Sequence, residues 1–184
     1  MKKSIGATVL PTTAPVWVVG SYDQQGRPNV ATIAWGGICC SDPPCIAISM
    51  RKSLYSYNNI MARKAFTVSV PSVRHVKAAD YFGLVSGRKV DKLAHAGLTA
   101  VASDLVDAPY VAEFPIVIEC QLRQTVELGS HTQFIGQVMD IKIEDALLGP
   151  DGEPDVEKMG LFVFADVYRH VGGLVAQPFS VGRE

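Results

Sequence analysis

The sequence predicts a mainly β, α+β domain of barrel type, and three observations predict it. Short runs of β-branched and aromatic residues recur between Gly- and Pro-rich turns, two longer runs alternate apolar with polar residues, and only two or three stretches carry helical signals. With 184 residues, 48% hydrophobic and 19% charged, the chain can bury one substantial core, so a single domain over 1–184 is expected.

VWVVGSY (16–22) is rich in strand formers, DQQGRP turns the chain, and NVATIAW (29–35) resumes the pattern, so these two runs form a hairpin. The Gly- and Cys-rich stretch that follows reads as a loop. CIAISM (45–50) is a continuous apolar run of the buried-strand kind. SLYSYNNIMARK starts on Ser and ends on basic residues, which suits a short helix over 53–64. AFTVSVP (65–71) is a strand closed by Pro71, and SVRHVKAADYF (72–82) a second helix with Ser72 placed to cap it. GLVSGRKVDKLAHAG (83–97) reads as a loop. FPIVIECQLRQTVEL (114–128) and HTQFIGQVMDIKIED (131–145) are long strands joined through GSH, with Val138, Asp140, Ile141 and Ile143 typical of a half-buried sheet. GPDGEPD is an exposed turn, LFVFADVYRHV (161–171) one last strand, and Gly172 begins a tail. No repeat or low-complexity segment interrupts this order.

Charge narrows the function. Lys and Arg number 17 against 18 Asp and Glu, a net charge of −1, so neither a nucleic acid nor a membrane surface is an expected partner. The apolar runs are too short to span a bilayer. MKKSIGATVLPTTAP has two lysines, but its apolar patch is brief and a proline comes early, so it does not read as a signal peptide. The expected location is the cytoplasm, with the four cysteines as free thiols.

AWGGICCSDPPC (34–45) gathers three of those four cysteines. A structural zinc site commonly uses two separated ligand pairs; here Cys39 and Cys40 are adjacent, Cys45 lies past two prolines and Cys120 stands alone. C-x-x-C is absent, and a bond between neighbouring cysteines strains the backbone. Small residues in a tight loop and at a strand start account for the cluster. No G-x-S-x-G elbow, G-x-G-x-x-G or Walker loop occurs. His75 and His95 fall in helical stretches and His170 near the tail, as surface or packing residues. His131, at a hairpin end, could reach a cleft or serve only in structural hydrogen bonding.

Two stretches point to an anion. SMRKSLYSY runs from a buried strand into a helix start, bringing backbone N–H groups, Arg51, Lys52 and serine hydroxyls to one point. SGRKVDK offers Ser86 and Gly87 for close approach and Arg88, Lys89 and Lys92 for charge. Either alone also fits a solvated turn beside a capped helix; together they suggest a phosphorylated ligand. TIAWGG could lay backbone groups and Trp35 against a flat ring, although a strand Trp is also an ordinary core residue.

TIAWGGICCSDPPCIAISMRKSLYSYNNI, KAFTVSVP, ADYFGLVSGRKVDKLAHAGL, DAPYVAEFPIVIECQL and HTQFIGQVMDIKIED, in that order and followed by AQPFSVG in the tail, resemble the flavin reductase-like family, and within it the flavoredoxin type. The resemblance implies a six-stranded antiparallel split β-barrel with short flanking helices, a homodimer, and FMN bound non-covalently near the subunit interface. By position, Thr32, Ala34 and Trp35 would lie along the isoalloxazine, with Cys40 close to the ring. Ser49, Met50 and Arg51 would line the ribityl chain and phosphate, with Ser53, Tyr55 and Ser56 at the helix start. Ser86, Gly87 and Lys92 would complete the phosphate side. VYRHVGGLV departs from the more tyrosine-rich stretch expected there. The implied activity is that of a flavoprotein oxidoreductase or electron-transfer protein, its donor a reduced nicotinamide or a redox protein. A non-catalytic FMN carrier and a ligand-binding module are the alternatives, and an oxidase of the pyridoxamine-phosphate type fits the motifs less well.

Overall fold

The structure, a computed structural model, describes residues 1–182. Its strands are β1 (Ala14–Pro15), β2 (Trp17–Tyr22), β3 (Pro28–Ile33), β4 (Gly36–Ser41), β5 (Pro44–Met50), β6 (Ala65–Val70), β7 (Ala100–Ala102), β8 (Pro109–Val111), β9 (Ile116–Leu128), β10 (His131–Ile143), β11 (Phe162–Ala165) and β12 (Val167–His170). The helices are α1 (Tyr55–Arg63), α2 (Val76–Leu84), α3 (Lys92–Ala96) and α4 (Val156–Met159), with single 3-10 turns at Val73–His75 and Asp145–Leu147.

Seven antiparallel strands form the main sheet in the order β3-β2-β6-β9-β10-β5-β4. The Ser49 N–H donates to the Trp35 carbonyl at 2.7 Å, carrying the β4–β5 pairing one residue past Gly36↔Ile48. The chain passes from β3 at one end of the sheet through Ala34 and Trp35 directly into β4 at the other, so the two ends curl together as a split barrel. The mainly β barrel expected from the sequence is therefore present, with one strand more than the six implied by resemblance. Alternating residues of β2 and the residue before it explain the two main cores: Val19 points into the barrel with Ile48, Phe66, Val68 and Phe134, while Val16 and Val18 point outward. The outer core is roofed by Ala79 and Phe82 of α2 and Leu93 of α3, and includes Phe114 and Phe162. Phe66 and Phe134 are fully buried, so truncating either to Ala costs about 3–5 kcal/mol.

Several boundaries differ from those read in the sequence. The stretch after Trp35, expected to be a loop, is β4, paired with β5 from Gly36↔Ile48 to Ser41↔Pro44 and turning at a cis Asp42–Pro43 bond. Glycine and cysteine are poor strand signals; the neighbouring strand's hydrogen bonds impose the conformation. The first helix begins at Tyr55, two residues later than expected, after a turn in which the Leu54 N–H donates to the Arg51 carbonyl. Ser72 makes no side-chain cap; its hydroxyl meets His75 Nδ1 at 3.3 Å, and a 3-10 turn precedes α2. The stretch 83–97, read as a loop, contains α3, capped by the Asp91 carboxylate on the Ala94 N–H. The last strand is split: Asp166, at φ 60°, reverses the chain so that β11 and β12 pair with each other.

Candidate functional site

Edge strand β3 is covered by α2 and α3, and the space between them and the start of α1 is a groove. Its inner part is a cavity of about 180 Å³ lined by Thr32, Ser53, Tyr55, Ser56, Ser86, Gly87 and Lys92, together with Asn29 and the end of α2. An adjoining hollow of about 290 Å³ adds Asp23, Arg27, Arg88 and Lys89, and shares Asn29, Tyr55, Gly87 and Lys92 with the first. The two are one continuous groove.

Lys92 is its central feature. The first turn of α3 carries it inward, only 6% exposed, and Nζ donates to the Val30 carbonyl at 2.8 Å and the Phe82 carbonyl at 2.7 Å. Two of its three protons thus tie β3 to the end of α2, and the third is left for the groove. Burial lowers its pKa to about 8. Across from it, Asn29 Nδ2 donates to Ser56 Oγ at 2.8 Å, so the Ser56 hydroxyl keeps its own proton to donate. Gly87 closes over this pair. A Cβ there would lie 1.9 Å from Asn29 Oδ1, so only glycine lets the 86–89 turn approach. Helix α1 presents its N-terminus to the same place with no side chain capping it, because the N-cap residue is Leu54; the Tyr57 N–H goes to the Leu54 carbonyl at 3.2 Å, and those of Tyr55 and Ser56 remain available.

The outer wall is held by Asp23. Its carboxylate accepts from the Tyr55 hydroxyl at 2.9 Å, from Arg27 Nε at 2.7 Å and from the backbone N–H groups of Gln25 and Arg27. Burial by itself would raise the Asp23 pKa; these hydrogen bonds outweigh it and hold the carboxyl at about 2. Tyr55 is thereby fixed, and the Arg88 guanidinium sits 5.5 Å from its ring centroid.

Thr32 has its hydroxyl on the Ala79 carbonyl of α2, at 2.5 Å, leaving its oxygen as an acceptor toward the groove. Farther along the chain, Ala34 and Trp35 line a different, open hollow against residues Val9 and Pro11 of the N-terminal segment. Trp35 stacks almost parallel to His131, with 6.4 Å between centroids and 6° between planes, and Ser130 Oγ meets His131 Nδ1 at 2.8 Å. Ala34 and Trp35 form the bend that leads from the end of β3 into β4, so the aromatic shelf adjoins the Thr32 end of the groove.

The structure thus brings seven of the sequence-derived residues into the groove, Thr32, Ser53, Tyr55, Ser56, Ser86, Gly87 and Lys92, and sets Ala34 and Trp35 beyond its end. The other four lie outside both hollows. Met50 is 1% exposed in the barrel core, and Ser49 uses its N–H on Trp35. Arg51 is exposed on the turn before α1. Cys40 is exposed on β4 opposite Cys45, its thiol on the Asp42 carbonyl. Lys52 is drawn away to Glu127 at 2.6 Å. Asn29, Asp23 and Arg27 are groove residues the sequence did not single out. Asn29 reads as an ordinary strand start and Asp23 as a turn residue until α1 and the 86–89 turn are folded against them.

A family model described as Flavin reductase like domain matches residues 10–171. The flavoredoxin of Desulfovibrio vulgaris (Miyazaki F) is 49% identical and superimposes with a TM-score of 0.95 over 100% of both chains. The flavoredoxin from Methanosarcina acetivorans is 28% identical, with a TM-score of 0.88 over 100% of this chain and 97% of that one. The high molecular weight rubredoxin of Moorella thermoacetica is 36% identical over 147 residues, which are 78% of this chain and 58% of that protein; the chain spans little more than half its length.

Proposed function

The chain belongs to the flavin reductase-like family, and on that premise we propose that it is an FMN-binding electron-transfer flavoprotein of the flavoredoxin type. It takes electrons from a reduced nicotinamide or a redox protein and delivers them to an acceptor. The observation that carries this reading is the groove's donor set. A buried lysine with one proton free, the uncapped start of α1 and the hydroxyls of Ser53, Ser56 and Ser86 converge on a cavity whose inner lining includes no carboxylate among the described residues. That chemistry fits a phosphate monoester dianion. The flavin, when bound, supplies the redox chemistry, and the chain supplies binding, orientation and exclusion of water. Lys92, Ser56 and the α1 N–H groups would hold the phosphate. Asn29 orients the Ser56 hydroxyl, Gly87 lets the 86–89 turn close over it, and Thr32, Ala34 and Trp35 would direct the ring toward the shelf formed with His131.

The experiment is direct. The purified protein should be yellow and release FMN on denaturation. A colourless preparation that also takes up no added FMN would overturn the reading, and release of FAD would correct the cofactor.

Similarity to two flavoredoxins and a high molecular weight rubredoxin favours a second form of the reading, a carrier that exchanges electrons mainly with proteins. Anaerobic mixing separates the two. Rapid bleaching by NADH or NADPH marks a reductase, and bleaching only by a reduced redox protein marks a carrier. The proposal includes a homodimer. Among the described residues edge strand β4 has no partner on its outer side, and Ile38 on it is 83% exposed, which suits coverage by a second copy. Free thiols at all four cysteines agree with a cytoplasmic setting, and no helix among the described residues is long and apolar enough to cross a membrane.

A further inference from the structure

Helices α2 and α3 have two faces, and the proposed flavin groove uses only one of them. On the opposite face lies a separate cleft of about 330 Å³, none of whose lining residues lines the groove. Arg74, Lys77, Ala78 and Tyr81 recur at helical spacing and form one wall; His95, Ala96 and Leu98 form the other. The Tyr81 and His95 rings stack, with centroids 4.5 Å apart and planes 21° apart, and His95 is exposed, so the pair offers a flat, open surface at one end. Ala78, Ala96 and Leu98 make the floor apolar.

The charge in this cleft is one-sided. Arg74 and Lys77 are exposed fixed cations, and no Asp or Glu is among the lining residues, although the chain carries a net charge of −1. His75 leans on Phe114 at 5.0 Å, and its pKa is lowered by burial first and then by Arg74, so it adds a neutral imidazole. Of the two carboxylates whose charge reaches His75, Glu113 and Glu144, the first is already engaged, with both oxygens on the Thr99 N–H at 3.0 Å. The cations therefore face the cleft without a carboxylate partner among the described residues.

We propose that this cleft is a second ligand site, taking a small flat ring that carries one anionic group. The ring lies on the Tyr81–His95 pair over the apolar floor, and the anion meets Arg74 and Lys77. The volume is at the lower end of ordinary small-ligand pockets, the size of a mononucleotide or an aromatic acid. Phosphate and carboxylate are both possible anions, and the experiment tells them apart.

The test uses the full chain with whatever flavin it retains, and follows the imidazole resonances of His95 and His75 by NMR during titration. The probes are AMP and benzoate, with adenosine and benzamide as ring-only controls and inorganic phosphate as the anion-only control. A saturable shift of His95 is expected with at least one ring-bearing anion, at about tenfold or more lower concentration than with its neutral analogue or with phosphate. Response to AMP alone assigns a phosphorylated ligand, and to benzoate alone an aromatic acid. Both reversed cations together, Arg74→Glu with Lys77→Glu, should weaken binding at least tenfold while flavin retention stays unchanged, because neither residue touches the groove. Ring-bearing anions that bind no tighter than the controls, or binding indifferent to the double reversal, would overturn the site. Loss of flavin retention alone would count against the groove assignment and leave this cleft standing.

Discussion

The two edge strands of the barrel sheet, β3 and β4, are treated in opposite ways. Beside β3, two helices lie over the edge, and polar side chains are locked by partners far away in sequence: Lys92 on Val30 and Phe82, Asn29 on Ser56, Thr32 on Ala79. Beside β4 the N-terminal segment comes near only the Gly36 end, Ile38, Cys39 and Cys40 are exposed, and the Cys40 thiol reaches only a carbonyl two residues on. The covered edge has fixed donors in a partly dehydrated groove, where a dianion gains most from each of them. The bare edge has free backbone groups and an apolar side chain, which suit another sheet edge rather than a small charged ligand.

The contrast breaks most sharply at Lys92. Lys92→Met leaves the Val30 and Phe82 carbonyls without their donor, at about 1–3 kcal/mol for each buried group left unsatisfied. It should also weaken FMN binding about 100-fold in a fluorescence titration; undiminished affinity would remove Lys92 from the phosphate site. Gly87→Ala comes next. Its Cβ must displace Asn29 from Ser56, and an affinity about tenfold lower with a small drop in Tm is expected.

A smaller effect is set by pH. Burial holds Lys92 at about 8, below the ~10.4 of an exposed lysine, so above pH 8 the folded chain loses this proton while the unfolded chain keeps it. FMN affinity should fall as pH rises from 7 toward 10, whereas this group's contribution to the stability of the flavin-free protein rises over the same interval. A flat affinity profile would show that Lys92 does not face the phosphate. At the acid end Asp23 acts in the other direction. Its depressed pKa contributes stability above pH ~4 that is lost as the pH falls toward 2, and Tyr55 loosens with it.

The smallest effect is expected at the bare edge. Cys40→Ser should change stability by less than about 0.5 kcal/mol and leave FMN affinity unchanged. Alkylation of the native protein should label the exposed Cys39 and Cys40, and not the buried Cys45 and Cys120. A clear loss of affinity in Cys40→Ser would instead bring this thiol to the ring, as family resemblance implies.

Much of this architecture is written locally. Strands β2, β3, β5, β6, β9 and β10 each carry their own signal, in β-branched runs or in alternation, because one strand's pattern reflects which of its faces is buried. Ser86, Gly87 and Lys92, singled out by residue type and spacing, come together in the groove. The conformation of β4 was not legible, because glycine and cysteine become strand only through pairing with β5. Nor was the division of labour among the charged residues. Arg51, Lys52 and Lys92 look alike in sequence, yet one is in solvent, one pairs with Glu127 and one is buried on two carbonyls. The sequence by itself determined most strands, the first two helices and the kinds of polar and charged groups the chain offers. Only the tertiary structure decided which of them face the groove, since burial and hydrogen-bond partners are fixed by residues 27 to 62 positions away rather than by neighbours in the chain.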